Sequence, residues 1–241
     1  MCTVSFVSAG NKKIITSNRD EHIGRQTAYA PVIETINGQP ILFPKDARAG
    51  GTWFAASAEA VVAVLLNGAF VKHVPQQPYR KSRGLVLLDI ITAHQPFVFI
   101  EEVSLEGIEP FTLVLHQSDR LTELRWDGNN KHTRELDANG HYIWSSATLY
   151  TDEVITHRKK LFEEFIRLKP IPTPDAVQEF HSDDHRDEEN GFVINRNTGM
   201  KTFSITQAEI GQEQIIFRHT DLLQHQQFEE TMKLRREPVN L

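Results

Sequence analysis

Cys2 directly follows the initiator methionine, and it is the single cysteine in a chain of 241 residues. Removal of Met1 would place a thiol and a free α-amine on one residue. An α-amine has a pKa of about 7.7–8.0, close enough to neutrality to take the thiol's proton. Thiolate is the reactive form, and an ordinary cysteine with a pKa near ~8.5 holds little of it at neutral pH. Activation of a nucleophile by its own terminal amine is a known catalytic arrangement. A second reading stays open at this position: a small apolar side chain buried in a first strand.

The run Asn18-Arg19-Asp20-Glu21 is the natural partner for such a nucleophile. If Cys2 opens one strand and Asn18 ends the next, an antiparallel hairpin sets them side by side. A carboxylate there can hold and orient the α-ammonium, and a guanidinium there favours thiolate. The alternative is a solvated turn, because Asn and Asp are turn formers and the charges balance. Gly50-Gly51-Thr52-Trp53 reads either as backbone that approaches a substrate with Trp53 as a wall, or as a bend before a strand. Asn67-Gly68 offers an amide donor at the mouth of a site, or a turn that ends a buried strand. His181 and His185 have the spacing of metal ligands on a helix, but a third ligand is missing, so they read as a polar helix end and no metal is expected. The chain carries no glycine-rich phosphate loop and no Gly-x-Ser-x-Gly elbow, and no cofactor is expected.

Mostly strands must position these residues in the first half of the chain. Cys2 to Ser8 alternates, Ala9 to Lys12 supplies turn chemistry, and Lys13 to Ser17 returns. A second hairpin is expected from Val32 to Phe43 around Asn37-Gly38. Gly51 to Ala56 and Ala60 to Leu66 form a third pair. Helical spacing predicts a helix over Ser82 to Ala93 and a short one over Pro96 to Val103. Strands follow at Phe111 to His116, Leu121 to Trp126 and His141 to Ser145. A helix starts at Thr151, and another at Thr173-Pro174-Asp175, where a capping hydroxyl, a proline and an acid stand in helix-start order. Asp183 to Asn190 reads as a surface loop. Strands over Gly191 to Asn195, Lys201 to Thr206 and Gln214 to Arg218 precede a polar helix from about Asp221 to Arg235.

Composition narrows the classes. Apolar residues make up 39% and charged residues 24% of the chain, the proportions of a globular protein. Repeats, low-complexity tracts and linkers are absent, so residues 1–241 are expected to form one domain. No apolar stretch approaches the roughly 18 residues of a transmembrane helix. The start alternates instead of showing a basic then apolar leader, and one cysteine leaves no intrachain disulfide; a cytoplasmic protein is expected. The net charge of −6 argues against nucleic acid, which needs a basic stripe, and leaves a small-molecule ligand or substrate as the expected partner. Oligomeric state is not legible.

Seven short segments stand in one order: Met1-Cys2-Thr3, Ser17-Asn18-Arg19-Asp20-Glu21, Gly50-Gly51-Thr52-Trp53, Leu66-Asn67, Ser82-Arg83-Gly84, Trp144-Ser145-Ser146-Ala147 and Thr198-Gly199-Met200-Lys201-Thr202. In this order the chain resembles the transport and Golgi organisation 2 family, named also for its Asn-Arg-Asp-Glu motif, from Met1 to about Thr206. The resemblance implies an α+β, four-layer αββα sandwich of the N-terminal-nucleophile (Ntn) hydrolase type. It also implies a distant likeness to penicillin and bile-salt amide hydrolases, which begin with methionine–cysteine–threonine. On that pattern Cys2 is the nucleophile, Asp20 holds its amine, Asn67 donates to the oxyanion, and Arg19 lies one residue from the catalytic arginine. Asn18, Glu21 and Trp53 join the binding set. Ser146 stands where an oxyanion asparagine is expected, and Lys201 where the family shows arginine, a point charge in place of a forked donor. The expected function is a cysteine amidohydrolase acting on a non-peptide C–N amide. The alternatives are a lipid- or haem-binding trafficking protein on the same fold, which the family's eukaryotic members suggest, and a thioester or other acyl hydrolase.

Overall fold

A computed structural model describes residues 3–235. Cys2, the expected nucleophile, lies outside the described residues. Two antiparallel sheets face each other. The first contains β1 (Thr3–Ala9), β2 (Lys12–His22), β10 (His141–Ser145), β11 (Met200–Ile210), β12 (Gln214–Asp221) and β13 (Gln226–Lys233), in the order β10-β1-β2-β11-β12-β13. The second runs β3-β4-β5-β6-β7-β8-β9, with β3 (Val32–Ile36), β4 (Gln39–Phe43), β5 (Phe54–Ser57), β6 (Val62–Asn67), β7 (Phe111–Gln117), β8 (Arg120–Trp126) and β9 (Lys131–Asp137). Helices α1 (Arg83–Ile91) and α2 (Pro96–Glu102) cover the second sheet, and α3 (Asp152–Leu168) and α4 (Pro174–Ser182) cover the first.

Strand alternation explains the layers. Along β1, Val4 and Phe6 face the other sheet, where they meet Phe54, Val64 and Leu66. Val7 points the opposite way and packs with Phe162, Val177 and Phe180 of the two covering helices. Ala63, Leu65 and Leu113 face α1 and its Leu87 and Ile90. Burying each Val, Leu, Ile or Phe among them stabilises the fold by about 1.5–3 kcal/mol. The result is the expected αββα order of layers.

The local signals hold. Asn37 and Gly38 both have positive φ in the turn between β3 and β4. The Ser82 hydroxyl caps α1 by accepting from the Leu85 amide at 3.3 Å, and Thr173 caps α4 from Ala176 at 3.2 Å. Three expectations are corrected. The return strand expected over Lys13 to Ser17 runs on to His22, because β11 pairs it on one side, and the alternative of a turn at Asn18 to Glu21 falls with it. The polar stretch expected to be a terminal helix is the strand β13, an edge strand whose outward side chains meet solvent and whose Met232 alone reaches the core. Gly191 to Asn195 is a loop with one bridge, Asn195 to Lys201; it buries Phe192 and Ile194 without strand pairing. The edge strand β9 was not expected, since its residues are mostly exposed and lack apolar alternation.

Candidate active site

The register of the first hairpin sets the site. Thr3 pairs with Asn18 across β1 and β2, so the described part of β1 begins beside the Asn18–Glu21 segment. Side chains then alternate. Arg19 and Glu21 point into one layer and Asn18 and Asp20 into the other, because strand residues project to opposite faces in turn.

Arg19 is buried, with 2% of its surface exposed. Its guanidinium carbon lies 4.6 Å from the centre of the Trp53 indole. Its Nη2 donates to Asp46 Oδ2 at 3.0 Å and lies 3.7 Å from Glu21 Oε1. Arg25 donates to the same Asp46 oxygen at 2.9 Å. The other oxygen, Oδ1, accepts the amides of Arg48 and Ala49 at 3.1 and 2.8 Å. Burial lowers the Arg19 pKa below its ordinary range, against the pull of Glu21 and Asp46. For Asp46, burial raises the pKa, but the Ala49 amide and Arg25 outweigh it, and the carboxyl sits below its usual range.

These groups line a cavity of about 510 Å³ together with Asn67, Leu65, Tyr79, Arg83 and Glu109. Its floor explains two sequence segments. A Cβ on Gly51 would come 2.5 Å from the Gly84 carbonyl carbon, and one on Gly84 would come 2.7 Å from the Thr52 oxygen. Only glycines let the segment before β5 touch the start of α1. The Thr52 hydroxyl donates to the Pro44 carbonyl at 2.7 Å and fixes the bend. Arg83 pairs with Glu109 at 3.1 Å, and burial holds its pKa down. Two buried donors of lining residues, Trp53 Nε1 and Arg25 Nε, have no hydrogen-bond partner among the described residues, and Arg25 Nε lies 3.7 Å from Glu21 Oε1.

Of the expected site residues, the cavity brings together Arg19, Glu21, Trp53 and Asn67. The others lie around it. Asp20 is buried on the other face, where its Oδ2 accepts from the Tyr150 hydroxyl at 2.8 Å and its Oδ1 from the Thr202 hydroxyl at 2.6 Å. Asn18 is a connector: its Nδ2 donates to the His181 and Phe192 carbonyls, each at 2.9 Å, and its Oδ1 meets His181 Nδ1 at 2.5 Å. Ser146 spends its hydroxyl on the Asn67 carbonyl at 2.7 Å and so braces the end of β6. Lys201 pairs in register with Glu21 across β11 and β2.

Asp46, Arg25, Arg83, Glu109 and Tyr150 carry the geometry without having been singled out as site residues. Arg83 stood inside a recognised segment but read only as a helix start. Asp46 carried a turn-type signal, and its ionic partners lie 21 and 27 positions away in sequence. Among the described residues no cluster of His, Cys, Asp or Glu could hold a metal ion. His185 instead contacts the Phe180 carbonyl at 3.1 Å. No helix among the described residues is long and apolar enough to cross a membrane.

The fold is that of Ntn hydrolases. A Caenorhabditis elegans ortholog of N-acylethanolamine-hydrolyzing acid amidase superposes with a TM-score of 0.59 at 10% identity, covering 86% of this chain and 92% of its own. A conjugated bile acid hydrolase from Clostridium perfringens, in a form with a cysteine changed to alanine, gives 0.54 at 9% identity with 100% of both chains covered. A second variant of that hydrolase gives 0.55 at 9% identity, covering 99% of this chain and 100% of its own. No curated protein matches the sequence. The family model described as "Transport and Golgi organisation 2" matches residues 1–234.

Proposed function

The chain belongs to the transport and Golgi organisation 2 family, and from that premise we propose that it is a cysteine amidohydrolase that cleaves a non-peptide C–N amide, with Cys2 as its terminal nucleophile once Met1 is removed. One observation carries the reading. The residue bonded to Cys2, Thr3, pairs with Asn18, and the same hairpin end carries a buried, doubly hydrogen-bonded Asp20 on one face and a cavity with Arg19 and Asn67 on the other.

In this mechanism the α-amine of Cys2 takes the thiol proton. The thiolate adds to the amide carbon, and Asn67 donates to the oxygen that gains charge. Collapse breaks the C–N bond, and the leaving amine takes the proton held by the α-ammonium. Water then attacks the thioester, gives one proton to the α-amine, and releases the acid and the thiol. Asp20 orients the α-ammonium, while Arg19 offsets negative charge and Trp53 forms the wall. The names of the two similar hydrolases, an N-acylethanolamine amidase and a conjugated bile acid hydrolase, support an acyl amide as substrate class.

A second reading draws on Ser146. Its hydroxyl is engaged with the Asn67 backbone, which leaves one donor fewer for an oxyanion. That favours a small-molecule binding protein with slow or no turnover.

The test begins with the intact mass of protein purified from its native host. Loss of Met1, followed by hydrolysis of one of a panel of acyl amides that Cys2→Ala abolishes, supports the amidase. Retained Met1 sinks the terminal-amine mechanism and leaves the binding reading.

A further inference from the structure

Behind the first hairpin, on the face away from the cavity, lies a polar network that the proposed chemistry does not yet use. Arg158 of α3 is fully buried. Among the described residues it makes no ion pair with a carboxylate. Its Nη1 donates to the Thr3 hydroxyl at 2.5 Å, its Nε to the Asn190 carbonyl at 2.9 Å, and its Nη2 to the Gly191 carbonyl. Its guanidinium carbon sits 3.6 Å from the centre of the Tyr150 ring. The Tyr150 hydroxyl in turn donates to Asp20 at 2.8 Å.

A buried cation needs compensation, since removing it from water is costly. Here the compensation is the electron-rich ring face and two carbonyls. A cation on the ring face also makes the phenol a stronger donor, and a hydrogen bond to a carboxylate is among the stronger kinds. Thr202 grips the other oxygen of the same carboxylate at 2.6 Å. The carboxylate therefore has little freedom to rotate. One stacked pair thus touches both strands at the hairpin's end: Arg158 holds the first described residue of β1, and Tyr150 holds Asp20 of β2.

We infer that Tyr150, backed by Arg158, is the positioning residue that aims Asp20 at the α-amine of Cys2. The inference rests on the amidase reading above. Tyr150 acts through Asp20 and does not touch substrate. Charged neighbours on the same face are Arg158 and Arg196, the latter 5.2 Å over the Tyr150 ring. Arg19 and Glu21 of β2 project from the opposite face, with Lys201 of β11 in register with Glu21.

The single cysteine makes the test direct. Alkylation by iodoacetamide, followed by intact mass from pH 5 to 9 on protein lacking Met1, reports the Cys2 thiolate alone. The wild-type protein should react faster at pH 7 than the same chain in urea. Tyr150→Phe should move the midpoint up by about half a unit, read as about threefold slower alkylation at pH 7. Thr202→Val should act in the same direction, and it decides the matter if Tyr150→Phe does not fold. Tyr142→Phe, outside the network, should leave the profile unchanged. If the folded wild type reacts no faster than in urea, the amidase reading fails. If it reacts faster but folded Tyr150→Phe, or Thr202→Val in its place, matches it, the amidase reading stands and the positioning role is overturned.

Discussion

The Arg19 guanidinium meets Asp46 at 3.0 Å and so ties the end of β2 to the bend that precedes β5. Arg19 belongs to β2 of the first sheet, and Asp46 to the segment that joins β4 and β5 of the second. This contact therefore joins the sandwich at the cavity mouth, and the Arg19 side chain is almost wholly removed from water.

Loss of that partner should be expensive. Asp46→Ala leaves a buried guanidinium with only the longer contact to Glu21, and a broken buried pair costs about 3–5 kcal/mol. Urea unfolding at pH 7 should show a loss near the lower end of that range, because Arg25, whose side chain is 30% exposed, can rearrange. Asp46→Asn should cost less. The Asp46 carboxyl has a folded pKa below its ordinary value of 3.8. Its stabilisation is therefore complete above that ordinary value and fades as pH falls through the folded pKa.

Histidines set the behaviour in a milder window. Burial lowers His181 from 6.5 to about 3, and His116 and His219 from 6.5 to about 4. Below pH 6.5 the unfolded chain binds protons that the folded protein refuses, so stability must fall as pH drops. Each histidine contributes a slope of about 1.4 kcal/mol per pH unit once its unfolded form is protonated. Urea midpoints measured between pH 7 and 4 should decline steeply. His181→Gln, which keeps a hydrogen-bonding side chain beside Asn18 and Ser5, should cut that decline by about a third. An unchanged slope would show that His181 protonates in the folded state.

The floor of the cavity admits no added atom. Gly51→Ala should cost about 1–3 kcal/mol by overpacking against Gly84. The thermal midpoint should fall accordingly, and any ligand found for the cavity should bind more weakly. A variant that melts like the parent would mean the segment before β5 shifts freely.

Asn67 and Ser146 should separate in their effects. If the chain hydrolyses an acyl amide, Asn67→Ala should lower kcat by about 10²–10³, the cost of losing one oxyanion donor. Ser146→Ala should lower kcat by less than about tenfold and remove about 1 kcal/mol of stability, because its hydroxyl serves the Asn67 carbonyl. Equal losses of kcat in the two variants would assign Ser146 to the oxyanion instead.

The features legible before folding are local or carried by the order of short segments. Asn37-Gly38 specifies its turn, and Ser82 and Thr173 specify their helix starts, because the bonds that define them span a few residues. Alternation from Val4 to Val7 tells which side chains separate the layers. The ordered segments led to the αββα fold and to Arg19, Glu21, Trp53 and Asn67, which the structure gathers at one cavity. The rest depends on contacts between distant parts of the chain. β9 and β13 are edge strands whose outer sides face water, so no apolar period marks them, and only pairing with β8 and β12 makes them strands. Asp46, Tyr150 and Arg158 gain their roles from partners 27, 130 and 155 positions away. A charge or a hydroxyl in a sequence does not say whether water or another side chain will satisfy it. Burial between packed layers supplies that answer, and it exists only once the chain has folded.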